Sequence, residues 1–209
     1  MSAVQIIAPD RLDEIVDVLC DAFHDYPVMR YLVGQGHADY DVRLRKLIGF
    51  FAYRRGRMGA PYLGVSEKNA LVAVAAFTLP VEPEIPPDVV ARRDALWRDL
   101  GDDARSRYDT YANTTNTFTI AAPHHHLNMI GVRHAHHGRG LARPLLNDMA
   151  RRSREDANSA GVSLTTELAR NVTLYEHFGY RVVGHARVSP DLETWGFFWD
   201  KELRGPGNL

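Results

Sequence analysis

Val132-Arg133-His134-Ala135-His136-His137-Gly138-Arg139-Gly140-Leu141-Ala142-Arg143-Pro144-Leu145-Leu146 decides how this chain is read. It joins an apolar run, His126 to Val132, to a helix expected to start near Ala142, through a loop holding Gly138 and Gly140. Glycines let backbone amides approach a bound group closely. The first-turn N–H groups of the following helix have no partner within it and point at negative charge, with the positive end of the helix dipole. The stretch therefore predicts a strand, a loop for an anion such as a pyrophosphate, and a helix.

Outward from this loop, the periodicity predicts alternating elements. Upstream, Val4–Ala8 reads as a strand. Asp10–His24 reads as an amphipathic helix with Asp10 as N-cap and Leu12, Ile15, Val16, Leu19 and Phe23 inward. Helices follow over Val28–Val33 and Asp39–Arg57, then strands over Tyr62–Val65 and Ala70–Thr78. After the proline-rich Pro80–Pro87, helices are expected over Val89–Leu100 and Asp103–Ala121, an insertion of roughly residues 86–122. Downstream, the loop helix runs to Gly161. A strand Val162–Thr166, a helix Asn171–His177 and strands Tyr180–Val188 and Thr194–Asp200 complete the chain. The order predicts a mixed α/β (α+β) fold, one sheet flanked by helices in a single domain over residues 1–209.

Composition narrows the class. A formal charge of −1 gives no global attraction to nucleic acid or to an anionic membrane, and 45% hydrophobic with 24% charged residues suits a soluble globular chain. No window approaches the ~20 apolar residues of a membrane span, and the first residues lack a leader pattern. The single cysteine, Cys20, excludes an internal disulfide or a cysteine metal cluster and fits a reducing cytoplasm. Ten histidines invite a metal reading, but His124, His125 and His126 alternate across a strand, so no metal is expected.

The loop spacing excludes two familiar phosphate sites. No Lys-Ser/Thr pair follows Gly140, and Arg143 stands where a dinucleotide fingerprint needs its third glycine. His137-Gly138-Arg139-Gly140-Leu141-Ala142 instead resembles motif A of the GNAT acyltransferase superfamily, Q/R-x-x-G-x-G/A, with His137 in place of Gln or Arg. Asn171-Val172-Thr173-Leu174-Tyr175-Glu176-His177-Phe178-Gly179-Tyr180 resembles the family's N-x-x-x-Y-E-x-x-G-F/Y element. Asp21 to Pro27 and Thr194-Trp195 are similar to the puromycin N-acetyltransferase-like members.

The resemblance implies a mostly antiparallel sheet, splayed at an acetyl-CoA site, and direct acetyl transfer to an amine. Ile130, Gly131 and Val132 would pair with the pantetheine arm. His137, Gly138, Arg139, Gly140, Leu141, Ala142 and Arg143 would wrap the pyrophosphate, with Arg139 or Arg143 adding charge, and Asn171 and Tyr175 would complete the cofactor site. Leu168 stands where many members carry a cofactor-contacting Asn. Tyr175 would protonate the leaving thiolate, the Val132 N–H would face the oxyanion, and Glu167 is a candidate base. Tyr26, His126 and Asn128 are expected at the acceptor, with His126 and Asn128 sharing a strand face with Ile130 and His126 titrating near neutrality. The expected acceptor is a small-molecule amine, an antibiotic or a metabolite. A protein or peptide acceptor and a non-catalytic CoA-binding sensor are the other readings, and the sheet's C-terminal edge could serve a homodimer.

Overall fold

The computed structural model describes residues 3–203. A seven-stranded sheet in the order β1-β2-β3-β4-β5-β7-β6 forms its centre. The strands are β1 (Gln5–Ile7), β2 (Tyr62–Glu67), β3 (Ala70–Thr78), β4 (His125–Val132), β5 (Gly161–Thr166), β6 (Arg181–Ser189) and β7 (Leu192–Asp200). Every neighbouring pair is antiparallel except β4–β5.

One face carries α1 (Leu12–Phe23), α2 (Pro27–Val33), α3 (Tyr40–Arg57), α4 (Pro87–Leu100) and α5 (Asp102–Thr115). Ile15, Leu19 and Phe23 of α1 recur at helical spacing and pack with Leu44, Leu47 and Ile48 of α3 and with Val74, Ala76 and Met129 of the sheet. Asp10 does not cap α1. Pro9 starts a 3₁₀ turn over Pro9–Arg11, which places Arg11 at the cap and leaves the Asp10 carboxylate outside it. Arg43 ties this layer together: its guanidinium is buried and donates to the Val33 carbonyl at 2.9 Å and the Leu100 carbonyl at 2.7 Å, at the negative ends of α2 and α4.

The opposite face is covered by α6 (Ala142–Glu155) and α7 (Arg170–His177). Leu145, Leu146 and Met149 of α6 are buried against Val72, Ala75, Phe77 and Val162. Each such side chain contributes about 1.5–3 kcal/mol through burial. α6 ends at Glu155, short of the expected Gly161, because the Asp156 backbone turns extended and its carboxylate accepts the Asn158 N–H, making a turn that competes with helix. α5 likewise ends at Thr115, short of Ala121. The Thr114, Thr115 and Thr117 hydroxyls donate back to carbonyls within the last turns.

Beyond α5, Phe118 lies across Gly184 of β6 and Gly196 of β7, where an added Cβ would meet its ring at 2.0 and 2.6 Å. β6 is the sheet edge and exposes Val182 and Val183. Among the described residues no helix is long and apolar enough to cross a membrane.

Candidate functional site

The parallel strands β4 and β5 pair only over His125↔Val162, His126↔Ser163 and Leu127↔Leu164. Beyond Leu127 they part, opening a wedge in the sheet. Arg133 N–H bonds to the Val72 carbonyl at 2.9 Å, which fixes the alternation of the β3–β4 ladder. Gly131 then exchanges hydrogen bonds with Val74, and the backbone groups of Ile130 and Val132 face the wedge. This corrects the expectation for Gly131, whose backbone is committed to β3. Its missing side chain serves packing instead: an added Cβ would stand 2.8 Å from the Ala22 Cβ on α1.

Asn128 is an extra residue in β4, since Ala76 opposes Met129 while Phe77 opposes Leu127. Its Oδ1 accepts a hydrogen bond from the Thr78 hydroxyl at 2.9 Å. The bulge reverses the facing of everything after it. Leu127 and Ile130 pack on the α6 side and Met129 on the α1 side, so His126 and Ile130 do not share a face, contrary to strict alternation.

The loop before α6 has the expected left-handed glycines, Gly138 at φ 75° and Gly140 at φ 71°. Three side-chain contacts fix it. His134 N–H donates to the Asp21 carboxylate at 2.7 Å, His137 Nε2 contacts the Val132 carbonyl at 2.9 Å, and Arg139 holds Glu67 through both ends of its guanidinium. Leu141 is the N-cap of α6 and Ala142 its first residue, so their amides lie at the positive end of the dipole. Arg139 is thus already paired. Arg143 lies over the Phe178 ring at 5.8 Å and forms no ion pair with any described carboxylate. The glycine cradle, the positive helix end and the open strand edge are the donor set that a pantetheine diphosphate needs.

At the wedge a cavity of about 510 Å³ receives residues from both layers. Glu167, just past β5, is buried in its wall. The Tyr111 hydroxyl and the Thr194 hydroxyl both donate to its Oε1 at 2.8 Å. Burial outweighs these bonds and pushes its pKa up to about 7. Tyr26 also borders the cavity. Its hydroxyl shares a 2.8 Å hydrogen bond with Thr166 Oγ1 and accepts from the Glu167 N–H at 3.2 Å. Asn171 Nδ2 donates to Thr166 Oγ1 at 3.0 Å, fixing the start of α7 to the end of β5.

Tyr175, on α7, packs its ring against Tyr180 and Phe197 and faces the same cavity. Burial and the nearby Glu167 charge raise its pKa, so its phenol stays protonated. His126 lines the cavity with Nδ1 at 2.7 Å from Ser163 Oγ. The expectation that it titrates near neutrality is wrong: burial, with the Arg55 charge, pushes its pKa down to about 4. The histidine triplet diverges, His124 contacting the Ala122 carbonyl and His125 contacting Ser159.

The structure thus brings Glu167, Tyr175, Tyr26, His126, Asn128 and Ile130 around one space. Tyr111, Thr194 and Arg55 also line or support it, and sequence reasoning missed them. Tyr111 and Glu167 are 56 residues apart and no local pattern links them. Tyr108 and Tyr111, one helical turn apart on α5, were the available signal.

Residues 110–194 match the family model described as acetyltransferase (GNAT) domain. No curated protein sequence matches the chain significantly. Among solved structures, the chain is similar to one described as histone acetyltransferase and related acetyltransferase from Corynebacterium glutamicum, at 19% identity over 96% of this chain and 97% of that one, with a TM-score of 0.68. It is also similar to a polyamine N-acetyltransferase from Drosophila melanogaster, at 15% identity over 95% and 98% of the two chains, with a TM-score of 0.62. A ribosomal-protein alanine N-acetyltransferase from Escherichia coli aligns over 100% and 99% at 14% identity and a TM-score of 0.54. At these identities the structures share the fold. The matched segment holds the wedge, the glycine loop, Glu167 and Tyr175.

Proposed function

We propose that the chain is an acetyl-CoA-dependent N-acetyltransferase in which the primary amine of a small molecule attacks the thioester directly. One observation carries this reading: a buried carboxylate with its pKa near 7 shares a cavity with a protonated phenol and with an unpaired strand edge. A group poised near the working pH is what proton removal from an amine requires.

The residues for the donor are the backbone of Ile130 and Val132 along the pantetheine arm, the amides of Gly138 to Ala142 at the diphosphate, and Arg143 as the available cation. His137 and Arg139 shape the loop through Val132 and Glu67 rather than by reaching out of it. Asn171 acts through Thr166. When bound, acetyl-CoA supplies an activated acetyl group and a thiolate leaving group. Glu167 accepts the proton of the incoming amine, held in place by Tyr111 and Thr194. The Val132 N–H, facing the wedge, donates to negative charge developing on the carbonyl oxygen. Tyr175 holds a proton at Oη for the departing sulfur.

A small acceptor is favoured over a peptide because Phe23, Tyr26, Phe51, Tyr108 and Tyr111 line the cavity and its volume of about 510 Å³ suits a small molecule. The likeness of Asp21 to Pro27 to puromycin-type members agrees with this, since Phe23 and Tyr26 supply part of that wall. The test is free-thiol release from acetyl-CoA across a panel of amines. Tyr175→Phe should lower kcat about 10²-fold, the lower end of the range for one proton-transfer group, with acetyl-CoA affinity retained. Unchanged turnover would remove Tyr175 from the chemistry, and tight acetyl-CoA binding with no transfer to any amine would leave a sensor.

A further inference from the structure

Two groups with a formal charge at neutral pH line the cavity among the described residues, Glu167 and Arg55. Arg55 comes from the last turn of α3 and is buried to nine-tenths. Its Nε is buried without a hydrogen-bond partner, and its Nη1 lies 3.2 Å from Glu82 Oε1. Arg54 holds the other oxygen of the same carboxylate at 3.2 Å. Two guanidinium groups therefore share one acid, and a net positive charge remains at this wall. Burial lowers the Arg55 pKa to about 10, which still leaves it charged. A buried cation with an unmet donor is costly unless an anion meets it.

The strand register separates the two charges. Arg55 is near enough to His126 to depress that imidazole, and His126 stands opposite Ser163. Ser163 precedes Glu167 by four residues along β5 and its end, and at about 3.3 Å per residue this separates the two levels by about 13 Å. Between them the walls combine aromatic rings, Phe51 and Tyr108 on the Arg55 side and Tyr26 and Tyr111 on the Glu167 side, with the uncharged polar side chains of Ser163 and Thr165. A diamine or polyamine spanning this space would set its second ammonium against the Arg55 charge.

We propose that the acceptor is an amine carrying a carboxylate several bonds away, the amine received at Glu167 and the carboxylate at the Arg55 guanidinium. This rests on the reading of the cavity as an acceptor site. Arg55 is then a specificity residue, and it sets this chain apart from enzymes whose acceptors are polycations.

The experiment measures binding, so that it stands apart from turnover. Whole protein saturated with CoA is titrated calorimetrically with 6-aminohexanoate, hexylamine and 1,6-diaminohexane, three amines of equal chain length and different far ends. The expected result is 6-aminohexanoate at least 10-fold tighter than hexylamine, with the diamine weakest. In Arg55→Gln the advantage over hexylamine should collapse to within about twofold, and Arg55→Lys should restore part of it. Hexylamine or the diamine binding as tightly as 6-aminohexanoate would overturn the proposal, as would a carboxylate preference that survives Arg55→Gln. Absence of thiol release with every amine would count against acetyl transfer alone.

Discussion

Replacing Glu167 by Gln should make the protein more stable at alkaline pH while it removes most of the activity. The carboxylate is moved from the ordinary 4.5 to about 7 by burial. At about 1.4 kcal/mol per pH unit of displacement, this corresponds to about 3 kcal/mol. The folded pKa is raised, so the folded chain holds its proton more tightly than the unfolded chain. That contribution is fully present below about pH 4.5 and is lost as the pH rises through about 7. Gln keeps an oxygen for Tyr111 and Thr194 to donate to but never has to be charged. Urea unfolding of the wild type and Glu167→Gln at pH 5 and pH 8.5 should therefore show the variant gaining about 2–3 kcal/mol relative to wild type between the two conditions. Taking the difference matters because His126, with its pKa pushed down to about 4, makes the wild type gain stability as the pH rises to about 6.5 and offsets Glu167 over part of the range. In kinetics, kcat/KM of the wild type should rise with pH through an apparent pKa near 7. The variant should lose that limb and fall about 10²–10⁴-fold. A stability difference that does not change with pH would mean that Glu167 titrates at an ordinary value, and the reasoning from its burial would fail.

Two further perturbations test the walls of the site. Gly140→Ala forces a side chain into φ 71° in otherwise open space, so the cost is backbone strain of about 1–2 kcal/mol; the Michaelis constant for acetyl-CoA should rise several-fold with kcat little changed, as read by varying acetyl-CoA at saturating amine. Gly196→Ala places a Cβ 2.6 Å from the Phe118 ring, which borders the cavity, so the acceptor's Michaelis constant should change while that for acetyl-CoA stays constant. Equal changes in both constants would mean that Phe118 supports the whole sheet rather than the acceptor wall.

The loop from Val132 to Leu146 was legible because its glycines and the apolar spacing of α6 are local signals. The predicted mixed, mostly antiparallel sheet and its parting between β4 and β5 are present in the structure. What escaped the sequence is nonlocal. Nothing near Asn128 announces a bulge, because an extra residue is defined by its partner strand, and so the facing of Ile130 relative to His126 was misread. The Glu167 environment depends on Tyr111 and Thr194, brought together by helix packing and strand pairing. His126 looked like a physiological titrant because residue type alone carries no information about burial. Helix ends failed where Asp156 and the threonines near 115 offered the backbone competing hydrogen bonds.

The extra residue at Asn128 gives β4 two independently variable halves. Before it, His126 lines the cavity; after it, the backbone of Ile130 and Val132 faces the wedge. Substitutions in the first half can change which amine is chosen without disturbing the register of the second. Deleting Asn128 itself would leave Leu127 opposite Phe77 and Met129 opposite Ala76 in plain alternation, so both halves would keep their facing and only the bulge would be lost. The strand therefore carries one spare residue between its halves, and libraries that vary residues 125–127 can change one half while the pairing of Gly131 with Val74 keeps the other in place.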